Sequence, residues 1–320
     1  MRPILLGILS ALFFACTFVL NRSMDLSGGN WMWSASLRYF YMIPFLLCIV
    51  LMRKNLKELW ILMKDNPVEW LKWSFIGFGL FYAPLCLAAA YSPGWLIAGT
   101  WQLTIISGTL LSPLFTDTSS GRKGSIPVKQ IFFSMIILLG VLLMQFDQVQ
   151  NISIKNLFLG FFPVLIASFA YPLGNRKMMV VSSGKLDAFQ RVLGMTIASL
   201  PIWLVLSLIA LVNSGPPSVS QNSQSILVAI FSGVIATVLF FKATDMVSGN
   251  MQKLATVEAT QSMEVLFALG GEYLLLSIII PSSISLIGIF IVITGMILHS
   301  YGSIHRETEE MAGQEKEISK

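Results

Sequence analysis

Two stretches of this chain repeat one another inside long apolar runs, and the repetition constrains the fold more than any other feature. Gly7, Asn21, Arg22 and Met24 in the first run are matched by Gly160, Asn175, Arg176 and Met178 in the sixth, with one residue inserted between glycine and asparagine. Ala35, Arg38 and Met42 in the second run recur at unchanged spacing as Ala188, Arg191 and Met195 in the seventh. The chain therefore reads as two related halves of five helices. Because five is odd, the second half enters the bilayer from the opposite side, the inverted repeat on which alternating-access transporters are built. The expected fold is all-α, a polytopic membrane protein of ten transmembrane helices in two inverted five-helix repeats. The repeats occupy 1–150 and 151–303, and a polar cytoplasmic tail occupies 304–320.

Apolar runs lie near 3–20, 31–52, 70–91, 95–115, 130–146, 157–174, 188–212, 225–244, 254–276 and 284–301. Each approaches the roughly 20 residues that a helix needs to cross a bilayer. With 55% hydrophobic and 12% charged residues in 320, the chain has too little polar surface to cover a soluble globule. The segment after Arg2 could pass for a signal sequence ending at Ala15-Cys16. Phe13 and Phe14 stand where such a signal needs an aliphatic and then a small residue, so the first helix is expected to be retained. Cys16, Cys48 and Cys86 fall in apolar runs without paired spacing, which predicts neither a disulfide framework nor a metal site.

Orientation follows from the basic residues, since translocated loops exclude positive charge. Of the 21 Lys and Arg, sixteen lie at the termini and in one alternate set of connections, among them Arg53, Lys54, Lys57, Lys64, Lys72, Arg122, Lys123, Arg176, Lys177 and Lys185. The opposite set holds only Arg22 and Lys155, and the remaining three, Arg38, Arg191 and Lys242, lie within or at the edge of runs. Both termini are thus expected in the cytoplasm. The net charge of +5 reflects this topology and points to no nucleic-acid partner.

The paired Asn-Arg motifs, the arginines opening the second helix of each half, the ninth run with Leu269-Gly270-Gly271-Glu272, and the glycines at 140 and 295 near the end of each half together make a pattern. In this the chain resembles the drug/metabolite transporter superfamily, and within it the bacterial multidrug resistance efflux transporter family, over roughly 3–301. The resemblance implies export of a small organic solute. One departure is plain: the acidic residue that small four-helix exporters of the superfamily carry in their first helix has no counterpart in this first run. Coupling must then reside elsewhere.

The ninth run concentrates the electrostatic cost, holding Glu258, Gln261, Glu264 and Glu272. An ionisable group at the bilayer centre costs at least ~2.5–3.5 kcal/mol, so it normally faces a cavity or a partner. Glu264, nearest the midplane, is the expected proton-coupling or substrate-binding group, with Glu258 its competitor and Gln261 beside them; a structural pairing is the other reading of Glu264. At such a carboxylate, proton and cationic substrate exclude one another. Glu272 reads as an interfacial or structural carboxylate, and Lys242 with Asp245 as a local ion pair. Arg38 and Arg191 near helix ends could snorkel to the interface in a structural or gating role. Asn21 and Asn175 suit caps or interhelical hydrogen bonds. Trp101, Gln102 and Tyr82 offer a cavity surface with an aromatic face for organic cations. Pro44, Pro84, Pro113, Pro163, Pro172 and Pro201 suit bent helices.

No phosphate-binding loop, nucleotide fingerprint or metal-ligand cluster stands in the sequence, so neither an enzyme nor a cofactor is expected. The reading is a secondary transporter of the bacterial cell membrane exporting small, plausibly cationic compounds by proton antiport. The alternative is an exporter or permease of an amino acid or another polar metabolite. The expected partners are a small-molecule substrate, the lipid bilayer and protons; oligomeric state is not legible.

Overall fold

The computed structural model describes residues 2–115, 128–149, 153–182, 184–246, 257, 260–277 and 280–299. All regular structure among the described residues is helical. In chain order, α1 is Arg2–Leu26, α2 Trp31–Met52, α3 the short Leu56–Asp65, and α4 Pro67–Ala89. Then come α5 Gly94–Trp101, α6 Leu103–Leu110, α7 Val128–Val149, α8 Ile154–Ser182, α9 Ala188–Ala198 and α10 Leu200–Ser214. The next element, α11, is Val219–Val228 continued through Ala229–Ala236 and Thr237–Asp245; α12 is Met263–Leu276 and α13 Ser283–His299.

Each of the ten expected runs contains helix, and among the described residues five helices have spanning length and composition on their own: α1, α2, α4, α8 and the Val219–Phe240 part of α11. The pair α9 and α10 makes a sixth if the bent pair is one span. Two of the expected runs are interrupted in the structure. The fourth run breaks at Gln102 between α5 and α6, and the seventh bends by 46° at Ser199, two residues before Pro201, which takes a position in the first turn of α10. The 22-residue α7 contains the apolar stretch Phe132–Asp147, and α13 is the apolar helix Ser283–His299.

Local chemistry sets several ends. Asn30 caps α2, its side chain accepting from the Met32 amide at 2.8 Å. Asp187 and Gln190 form a reciprocal capping box at the start of α9. Gly215, at φ +74°, ends α10 in a conformation that other residues adopt only with strain. Two stretches wind as π-helix, Phe75–Gly79 in α4 and Ala229–Ala236 in α11, where one more residue per turn re-aims the side chains that follow.

Helix α1 packs on α11 and α12, whereas α8 packs on α4, α5 and α6. Between them α2 lies against α9, α10, α4 and α11. Helices α7 and α13 meet backbone to backbone: a Cβ on Gly140 would stand 2.7 Å from the Gly288 carbonyl, and one on Gly288 2.8 Å from that of Gly140. Small residues that let helices approach closely supply the association that lipid does not drive. Outward faces carry large apolar side chains, as in the α8 stripe of Phe158, Phe162, Ile166 and Phe169.

Candidate functional site

A layer of polar and aromatic side chains crosses the bundle below the end where α5 begins. That end is closed by Glu272 of α12, fully buried, whose carboxylate accepts from the amides of Gly94 at 2.6 Å and Trp95 at 3.0 Å. The first-turn amides of a helix have no internal partners, and a carboxylate satisfies them while complementing the helix dipole. From this common level, Trp101 lies about 10 Å along α5, Glu264 about 12 Å along α12, and Tyr82 about 10 Å from the Ala89 end of α4. The layer is thus deep within the helices.

Arg38 of α2 is 7% exposed, and the expected snorkelling course is not taken. Its guanidinium carbon stands 4.0 Å from the Tyr82 ring centroid and 5.8 Å from that of Tyr39. Nη2 donates to Ser232 at 3.3 Å, and Thr17 donates to the same hydroxyl at 2.6 Å. The Nε is fully enclosed without a partner, and no carboxylate lies within ion-pair distance among the described residues. A desolvated cation–π contact is worth about 2 kcal/mol, comparable with the insertion penalty, but an unmade buried hydrogen bond leaves a deficit of about 1–3 kcal/mol.

Around Arg38 the rings form a continuous wall. Trp203 stacks on Tyr39 at 4.3 Å, Tyr39 meets Tyr82 edge-on at 5.7 Å, and Phe81 follows, 5.1 Å from Trp101 and 4.7 Å from Tyr171. The Asn21 amide meets the Tyr82 hydroxyl at 3.1 Å, an interhelical bond of the kind expected, whereas Asn175 bonds its own helix at the Tyr171 carbonyl. Tyr171 marks the open part of the layer. At about 100° per residue it lies at least about 140° from the exposed phenylalanine stripe of α8, on the side facing the bundle, yet it is 37% exposed. Its accessible surface therefore lines an interior space.

Glu264 is 6% exposed and has no hydrogen bond or ion pair among the described residues. Its oxygens are not sealed in either, since the enclosed unpaired side-chain atoms belong to Arg38, Asn55, Ser74, Ser134 and Gln224. The charges of Glu264, Arg38 and Arg191 all act on Tyr171. The layer thus brings together Tyr82, Trp101, Arg38, Asn21 and Glu264, while Arg191 lies in the first turn of α9. Gln102 is buried, its amide turned back to the Ala98 carbonyl, and Gln261 reaches the Gly7 carbonyl at 3.4 Å. Lys242 is exposed, while Glu258 and the Asp245 side chain lie outside the described residues. Tyr39, Phe81, Tyr171, Trp203, Thr17 and Ser232 escape the sequence reading; only Tyr171 carries a signal there, its position opposite an apolar stripe. No group of three metal-ligating side chains occurs among the described residues. A separate apolar groove of about 710 Å³ lies on the flank between α4 and α10, lined by Leu71, Phe75, Ile202 and Val205, with Lys72 as its charged residue.

The sequence profile of the EmrE family, described as "Putative multidrug resistance efflux transporter", matches residues 1–305. The chain is 54% identical over 318 residues to "Uncharacterized protein YjlA" of Bacillus subtilis (strain 168), covering 98% of each chain. It is 49% identical over 267 residues to "Uncharacterized 42.1 kDa protein in intracellular alkaline protease 3'region" of Shouchella clausii, covering 82% of this chain and 70% of that one. With apolar helices of spanning length around a buried polar layer, and a family profile that spans nearly the whole sequence, the chain is a multi-pass membrane protein that belongs to the EmrE transporter family.

Proposed function

We propose that this protein is a secondary active transporter that exports small organic, cationic or amine-bearing compounds across the bacterial cell membrane in exchange for protons. The observation that carries the proposal is Glu264: a buried carboxylate inside the bundle, without an ion-pair partner among the described residues, whose oxygens are not fully enclosed and whose charge acts on Tyr171. Such a group holds either a proton or a cation, and that exclusion couples the two fluxes. Phe81, Trp101 and Tyr171 supply ring faces for an apolar or cationic body.

Two inverted five-helix repeats, 1–150 and 151–303, are part of the proposal, with both termini cytoplasmic. The packing supports it, because α1 lies on α11 and α12 while its repeat counterpart α8 lies on α4 and on α5 with α6. The equivalent glycines have equivalent partners: Gly7 faces Thr260 at the entry to α12, and Gly160 faces Ser92 at the entry to α5. The two π-helical stretches also fall in corresponding helices, α4 and α11.

The test is proteoliposome exchange, with a panel of organic amines moving against an imposed pH gradient. Glu264→Gln keeps the shape and removes the titrating group, so it should insert and lose proton-coupled exchange. Coupling that survives in Glu264→Gln and disappears in Glu258→Gln would move the site to Glu258. A second reading, export of a polar metabolite bearing an anionic group, is favoured by the buried Arg38 guanidinium. Accumulation of toxic amino-acid analogues, set against toxic organic cations, separates the two readings.

A further inference from the structure

From the surroundings of Arg38 we infer that the transported compound is amphoteric, with an anionic group, a carboxylate, received by the Arg38 guanidinium while its amine is directed to Glu264. This deepens, and rests on, the transport reading of the same layer. Arg38 is more than nine-tenths buried, its Nε is enclosed and unpartnered, Nη2 donates to Ser232, and Tyr82 is its further side-chain partner among the described residues. Its Nη1 is not among the enclosed unpaired atoms. A guanidinium carries five donors in a planar fork suited to two carboxylate oxygens, and here the Nε donor has no partner. Salt bridges elsewhere, Arg22 to Asp25 at 3.2 Å and Arg53 to Asp187 at 3.1 Å, show that this chain supplies carboxylates to arginines nearer its helix ends. In the layer it supplies none among the described residues.

The rest of the geometry fits a compound with two unlike ends. Tyr82 and Tyr39 hold the guanidinium at one end of the ring wall, and Phe81 and Trp101 continue it to Tyr171, which feels both Arg38 and Glu264. The two charged groups do not neutralise each other directly, since no ion pair joins them. A flat or apolar body lying along the wall would present an anion to one and a cation to the other. A simple organic cation would use only Glu264 and leave the arginine idle.

The experiment is equilibrium titration calorimetry on the full-length protein in lipid nanodiscs, without any gradient. Matched probes differ only by the carboxylate: phenylalanine with phenethylamine, tyrosine with tyramine, and tryptophan with tryptamine. In at least one pair the wild type should bind the carboxylate member at least about tenfold more tightly. Arg38→Lys should retain a smaller preference, because an ammonium keeps the charge and loses the fork. Arg38→Gln should erase the preference. Glu264→Gln should weaken both members and leave their ratio, which separates this inference from the proton-coupling claim. The inference is overturned if no carboxylate member binds the wild type, if both members bind equally, or if Arg38→Gln keeps the wild-type ratio. Binding of chloride alone, without discrimination inside any pair, would assign the guanidinium to an inorganic anion and also overturn it. Should Arg38→Gln fail to fold, the wild-type and Arg38→Lys ratios decide.

Discussion

Two carboxylates on one helix do different work because of what each touches. Glu272 faces two backbone amides and is fully buried; Glu264, on the same helix, has no such donors among the described residues, and its oxygens are not among the enclosed unpaired atoms. Glu272 is therefore a structural latch between α12 and the start of α5. Its replacement by alanine strands both amides, and hydrogen bonds to a charged group are worth about 1.5–3 kcal/mol, so Glu272→Ala should lower stability by about that amount in thermal unfolding of the purified protein. Tyr82→Phe removes one interhelical bond to Asn21 and should cost less, about 0.6–1.7 kcal/mol in the same measurement, while leaving the ring beneath Arg38. An equal loss in the two variants would deny Glu272 its special role. The sequence makes the ninth-run acids conspicuous by their cost in lipid, and it separates Glu264 from Glu272 by depth. It does not tell that Glu272 has amide partners, because Gly94 and Trp95 lie far away in the chain and nothing in their residue types announces an acceptor.

At the scale of helices, close approach is written in glycine. Gly174 of α8 sits against the backbone of Gly77 in the π-helical stretch of α4, and a Cβ there would collide with backbone atoms that cannot turn aside. Gly174→Ala should then destabilise by about 1–3 kcal/mol, whereas Gly270→Ala, with nothing within 4 Å of its Cβ position, should gain slightly from helix propensity. Chemical denaturation of the two variants in parallel checks the contrast; similar midpoints would mean that α4 and α8 yield easily. Apolar periodicity and length reveal the helices themselves. The break at Gln102 and the π-helical turns in α4 and α11 are not legible, because Gln102 has no helix-breaking chemistry and a π-turn alters hydrogen bonding without demanding a particular residue. The bend at Ser199 is half legible, since Pro201 forecasts a discontinuity but not its 46° magnitude.

For the whole molecule, the exchange of partners between halves carries more weight than any one motif. If α1 and α8 are equivalent, and α4 corresponds to α11 as α5 with α6 corresponds to α12, each half buries the first helix of the other within its own third and fourth spans. Neither half then closes its polar layer alone: Thr17 comes from α1 and Ser232 from α11, while Arg38 comes from α2 and Tyr171 from α8. A site assembled across such a seam can open to one side or the other by rocking one set of helices against the other, provided that the repeats have opposite orientations. That orientation is measurable. In a background with Cys16, Cys48 and Cys86 replaced, a membrane-impermeant thiol reagent applied to intact cells should label Ser218→Cys, in the connection between α10 and α11. It should label Lys54→Cys, between α2 and α3, only after the membrane is permeabilised. The basic residues Arg53, Lys54 and Lys57 motivate the second expectation and their scarcity at 213–224 the first. Labelling of Lys54→Cys in intact cells would reverse the molecule in the bilayer, placing the Glu272 latch on the cytoplasmic side. Export would then require Glu264 to take up its proton from a path that does not pass the latch.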